Sequence, residues 1–173
     1  MYHGVFESSA NMALSSSEVD NFRGLLTSDD LIQIFDYWYA RRGTRAMPAR
    51  KDIDPLDLRR HLPRLMLMEV LDDPFRLRYR LVGTDVVAAT GEDRTGRTSD
   101  TVAFFGNNPE VMNNYQSVVR DRAPKLIREP FRNFRNNTTY QTDTLMLPLS
   151  ADGERVDIVL IYFQFLTGPY RAM

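Results

Sequence analysis

The spacing of apolar residues changes character twice along the chain. From Asp29 to Arg42, Leu31, Ile34, Phe35, Trp38 and Tyr39 recur at intervals of three and four, as on one face of a helix. Asp29 and Asp30 open that segment, Arg41 and Arg42 close it, and Gly43 supplies a stop, which suits the helix dipole at both ends. Thr27 and Asp30 have the spacing of a capping box. A second, short helix is predicted from Asp54 as N-cap, with Pro55 at its first position, Leu58 and Leu62 on its apolar face and Pro63 at its end. Upstream, residues 1–27 are serine-rich and weakly periodic and read as a loosely ordered arm. The organisation expected is this arm, helices over 28–63, a core over 64–166 and a tail over 167–173.

At Leu65 the period falls to two. Leu65 to Leu71 is an apolar strand interrupted by Glu69, Asp72-Asp73-Pro74 is a turn, and Phe75 to Val82 alternates strictly, so the two runs predict a hairpin. Phe75, Leu77, Tyr79 and Leu81 share one face. Arg76, Arg78 and Arg80 share the other; with no interleaved aromatic to stack on a base, that row reads as a solvated strand face rather than a polynucleotide track. A helical turn over Asp85 to Thr90 and a loop bounded by Gly91 and Gly96 follow. The glycine spacing of that loop matches neither phosphate-binding fingerprint. Asn108 then caps a helix starting at Pro109, with Val111, Met112, Tyr115, Val118 and Val119 as its stripe, and Ala123-Pro124 ends it. Three strands close the chain, at about Lys125 to Phe131, Tyr140 to Leu149 and Val156 to Phe165. Asn136-Asn137 marks the turn between the first two, and Ser150-Ala151-Asp152-Gly153 joins the last two into a long hairpin.

Composition narrows the chemistry. A chain of 173 residues with 43% hydrophobic and 26% charged side chains is ordinary globular material of one-domain size. The net charge of −1 gives no electrostatic reason for an obligate nucleic-acid partner. The absence of cysteine removes disulfides, thiolate metal sites and cysteinyl cofactor adducts together. No run approaches the ~20 apolar residues of a membrane span. Met1 to Asn11 has neither the basic nor the apolar segment of a secretory signal, so the expected location is the cytoplasm.

Several segments taken in order resemble the PAS domain, in particular the short stand-alone bacterial PAS proteins. They are Trp38 with Asp52-Ile53-Asp54-Pro55, Tyr79-Arg80-Leu81-Val82-Gly83-Thr84 before the Gly91 to Gly96 loop, and Leu145-Met146-Leu147-Pro148-Leu149-Ser150 with Asp152-Gly153 and the apolar strand from Val156. The resemblance spans Leu31 to Phe165. It implies an α+β fold: a five-stranded antiparallel sheet in the order 2-1-5-4-3, helices over one face, and the amino-terminal amphipathic helix on the other face or on a second subunit. The strand Phe75 to Val82 would lie at an edge.

The same resemblance implies a sensory or protein-interaction module in bacterial signal transduction, not an enzyme, acting through an unidentified signalling partner. The ligand is unknown. His3 and His61 both precede the first strand, which speaks against haem held through histidine, and without cysteine no covalent flavin or chromophore adduct forms. A small-molecule pocket between sheet and helices would draw on Tyr79, Phe104, Met112, Tyr115, Thr142 and Thr144. The broad apolar face of Leu31, Ile34, Phe35, Trp38 and Tyr39 makes a homodimer through that helix the expected assembly. A small α+β cavity enzyme of isomerase or hydratase type is the alternative, with Glu69 or Asp157 as its desolvated carboxylate.

Overall fold

The structure is a computed structural model that describes residues 13–132 and 139–169. Two helices open it, α1 (Ser16–Gly24) and α2 (Asp29–Arg42), followed by strands β1 (Leu65–Leu71) and β2 (Arg76–Val82). Three helices come next, α3 (Thr84–Thr90), α4 (Ala103–Asn107) and α5 (Pro109–Asp121), and then β3 (Lys125–Arg132), β4 (Thr139–Leu149) and β5 (Ile158–Pro169). The strands form one antiparallel sheet in the order β2-β1-β5-β4-β3, which places β2 at an edge.

Side-chain alternation divides the sheet into two working faces. In β4, Thr142, Thr144 and Met146 point toward α3, α4 and α5, while Leu145, Leu147 and Leu149 point toward α2. The register continues both rows into β5, where Thr144 faces Phe163 and Leu145 faces Tyr162. A bulge opposite Leu67 and Met68 leaves Arg80 unpaired in the ladder, so Leu81 pairs with Leu67 and departs from the strict alternation of β2.

Helix α2 is spent within its own chain. Leu31 and Phe35 are 0% exposed, Ile34 and Trp38 1%, and Tyr39 packs half-buried beside them. The Trp38 indole Nε1 donates to the Pro148 carbonyl at 2.8 Å, two residues beyond the last pairing of β3 with β4. Trp38 thus supplies a donor beyond the end of the β3 pairing. The apolar face that predicted a dimer interface is therefore occupied by the outer face of the same sheet. Each such aromatic burial contributes about 2–3 kcal/mol, which is why the helix closes onto the sheet rather than standing free.

Three local expectations are corrected. Residues 16–24 are helical rather than a loose arm: Ser15 and Glu18 form a reciprocal capping box, and Phe22 packs on Phe35 with ring centroids 5.1 Å apart. Residues 1–12 lie outside the described residues, as do Asn136-Asn137 and residues 170–173. The N-cap of α2 is Ser28, whose side chain accepts from Leu31 N, while the Thr27 hydroxyl donates to the Asp143 carboxylate on β4. The short helix expected from Asp54 is instead a run of turns, with Leu56 N donating to the Asp54 carboxylate, and Pro63 lies inside a single 3-10 turn, Leu62–Arg64. Two leucines four residues apart bury too little apolar area to hold a regular helix there.

A cavity between the sheet and the covering helices

Facing α3, α4 and α5, the inner side of the sheet encloses a cavity of about 230 Å³. Its floor is Met66 and Tyr79 at one end, Thr144, Met146, Phe163 and Phe165 in the middle, and Ile127, Glu129 and Thr142 at the other. Val86, Ala89 and Thr90 from α3, Phe104 and Phe105 from α4, and Val111, Asn114 and Tyr115 from α5 form the roof. The space exists because small side chains, Thr142, Thr144 and Ala89, stand where a filled core would carry large ones.

The polar groups concentrate near Tyr79. Arg94 sits on the loop after α3 with its side chain 11% exposed. Its Nε donates to Glu92 Oε2 at 3.3 Å and its guanidinium lies over the Phe104 ring at 5.5 Å. Glu92 also pairs with Arg97, so one carboxylate serves two guanidinium groups. A wider cleft shares Thr90, Glu92, Arg94 and Phe104 with the cavity, so the Glu92–Arg94 pair stands at the junction of the two. Gly91 and Gly96, at φ of 80° and 86°, shape the loop that carries the pair, in a backbone region that suits glycine.

Burial raises the Tyr79 phenol above its ordinary value, and the nearby Arg94 guanidinium offsets part of that rise. Tyr115 is pushed well above, again by burial, with the neighbouring Tyr79 adding to the effect. Both are neutral phenols with a proton to donate at physiological pH. Other polar groups are committed: Thr142 Oγ1 donates to the Glu129 carbonyl at 3.0 Å, and Asn108 Nδ2 to the Phe104 carbonyl at 2.8 Å.

Of the residues proposed from sequence, Tyr79, Phe104, Tyr115, Thr142 and Thr144 line this cavity, and Met112 does not. Met112 follows Val111 by one helical position, which turns it about 100° away, and it packs half-buried against the core. Arg94 and Glu92 were missed, because a loop offers no periodicity; the glycines that bound it were the available signal. The α2 residues lie on the opposite face of the sheet. So does His61, against Tyr162 with ring centroids 5.6 Å apart, while His3 is outside the described residues. Glu69 pairs with Arg78 at 3.2 Å on the outer face, and Asp157 accepts from Ala151 N beside the β4–β5 turn. Neither lines the cavity. Among the described residues no helix is long and apolar enough to cross a membrane, and no group of three or more histidine, aspartate or glutamate side chains could hold a metal ion.

Comparison with known proteins gives one family. No curated protein sequence matches the chain. Solved structures similar to it include the LOV protein of Rhodobacter sphaeroides, at 13% identity over 66% of this chain and 69% of that one, with a TM-score of 0.48. An RNA-binding light-oxygen-voltage receptor matches at 14% identity over 69% of this chain and 36% of its own, also with a TM-score of 0.48. A fungal LOV-domain photoreceptor matches at 15% identity over 68% of this chain and 94% of its own, with a TM-score of 0.45. The family model of the PAS domain matches residues 26–162, from the connection between α1 and α2 into β5, and the chain accordingly belongs to the PAS-domain family.

Proposed function

We propose that this protein is a sensory module whose input is a small molecule held between the sheet and the covering helices, and whose output is read by a partner signalling protein. The observation that carries the reading is the cavity itself, apolar over most of its wall and equipped at one end with a buried arginine and two buried phenols. Ligand sites typically combine an apolar enclosure with a few convergent polar groups. At about 230 Å³ the space falls below the usual ~300–1,000 Å³ range, so it suits a compact molecule. The chain has no cysteine, so the molecule would be held without a thioether bond.

Catalysis is the weaker reading. The acids that line the cavity are Glu92, engaged by two arginines, and Glu129, which is exposed. Self-association through α2 would require the helix to exchange between chains, because its apolar face is covered within one chain. The test of the ligand reading is native mass spectrometry of the purified protein beside the same sample after denaturation. A small molecule that leaves on unfolding is the expected result. Bare chain, with no thermal stabilisation by compact organic molecules, would identify a pure protein-interaction module instead.

A further inference from the structure

The polar end of the cavity has an uneven hydrogen-bond inventory. Tyr115 is 5% exposed and lines the cavity, and its hydroxyl has no hydrogen-bond partner among the described residues. Tyr79 is 4% exposed, and the group beside its hydroxyl is the Arg94 guanidinium. A guanidinium only donates, so Tyr79 can accept from Arg94 while its own proton stays uncommitted. Two buried phenol protons and a buried guanidinium therefore converge with no acceptor of matching number. Glu92 does not supply it, since Arg97 takes a share of that carboxylate and one net positive charge remains.

The opposite end differs. Glu129 is on β3, the far edge strand, four strand spacings or about 19 Å from Tyr79 on β2. Negative charge at that end and positive charge at this one orient an anionic guest in one direction. Resting on the ligand reading above, we propose that the cavity takes a compact apolar molecule bearing a single anionic oxygen group, a carboxylate in class. That group sits at Arg94, Tyr79 and Tyr115, and the apolar part lies over Thr144, Met146 and Phe163.

Titrations of the protein, followed by backbone amide chemical shifts, test this with three probes of similar size: phenylacetate, phenethylamine and ethylbenzene. Phenylacetate is expected to bind roughly tenfold more tightly than ethylbenzene, and phenethylamine more weakly than either. Tyr115→Phe is expected to weaken phenylacetate by roughly tenfold and leave ethylbenzene unchanged. Arg94→Gln is expected to abolish the preference for phenylacetate over ethylbenzene, and the spectra themselves report whether each variant is folded. Ethylbenzene or phenethylamine binding as tightly as phenylacetate would overturn the anionic assignment and leave the cavity a ligand site. The same holds if Tyr115→Phe leaves all three affinities unchanged. Failure of all three probes to shift any cavity residue would overturn the assignment together with the reading beneath it.

Discussion

Two single residues show how far the fold depends on local fit. Gly83 joins β2 to α3 with an ordinary φ of −66°, so its role is steric rather than conformational. A Cβ there would lie 2.3 Å from the Pro63 carbonyl oxygen and 2.4 Å from that of Leu62, both backbone atoms that cannot swing aside. The close approach is held by Gly83 N donating to the Leu65 carbonyl at 2.8 Å. Gly83→Ala is expected to cost about 2 kcal/mol or more, read as a lowered urea midpoint at unchanged slope. His61 shows a different dependence. Arg60 Nε donates to its Nε2 at 3.2 Å, which places the ring proton on Nδ1, 3.8 Å from Asp30. Burial pushes the imidazole below its ordinary 6.5, Arg60 and Arg64 add to the fall, and Asp30 opposes it. The unfolded chain therefore binds the proton at a higher pH than the folded one. Stability is full above the unfolded value and declines as pH falls through about 6.5, levelling once the folded value is passed. Urea denaturation at about pH 7 and about pH 5.5 is expected to show this loss in the wild type and a smaller one in His61→Gln.

At the scale of elements, what could be read in advance follows from how much of each element's energy is local. Helix α2 announced itself by five apolar residues at helical spacing, charges matched to its dipole and Gly43 as its stop. Strand β2 did so by alternation, and β1 and β5 by apolar runs bounded by turn residues, as at Ser150 to Gly153, where Asp152 accepts from Glu154 N and Arg155 N and its carboxyl is held down to about 2. Helix α1 carries no apolar stripe to read, because only Val19 and Phe22 are buried in it, and Phe22 packs on Phe35, a residue of the next helix. The cap of α2 was misplaced by one residue for a similar reason: Thr27 could have capped it, but Asp143, 116 positions away, claims its hydroxyl. The candidate site divides along the same line. Tyr79, Tyr115, Thr142 and Thr144 were found because they sit on regular elements whose inward face can be counted. Arg94 was not, since its place against Phe104 and Tyr79 is set by a loop folding onto residues distant in sequence.

The whole molecule is a sheet whose two faces serve different purposes through the same strands. In β4, Thr142, Thr144 and Met146 border the cavity, while the intervening Leu145 and Leu147 sit on the side of α2 and are fully buried. A change in what the cavity holds is thus separated from α2 by one layer of backbone, and α2 forms part of the wall that keeps that layer in place. This predicts that α2 is required for folding rather than an accessory to it. Truncating a buried Phe or Trp costs about 3–5 kcal/mol, and placing an unpaired carboxylate at each site adds the cost of desolvating a charge. Two such changes consume a typical total stability of about 5–15 kcal/mol. The Phe35→Asp, Trp38→Asp double variant is therefore expected to lose its cooperative thermal transition in circular dichroism at concentrations where the wild type shows one. A double variant that kept a sharp transition and dispersed amide shifts would show that the sheet closes its outer face without this helix, and that the helix is free to serve a second molecule.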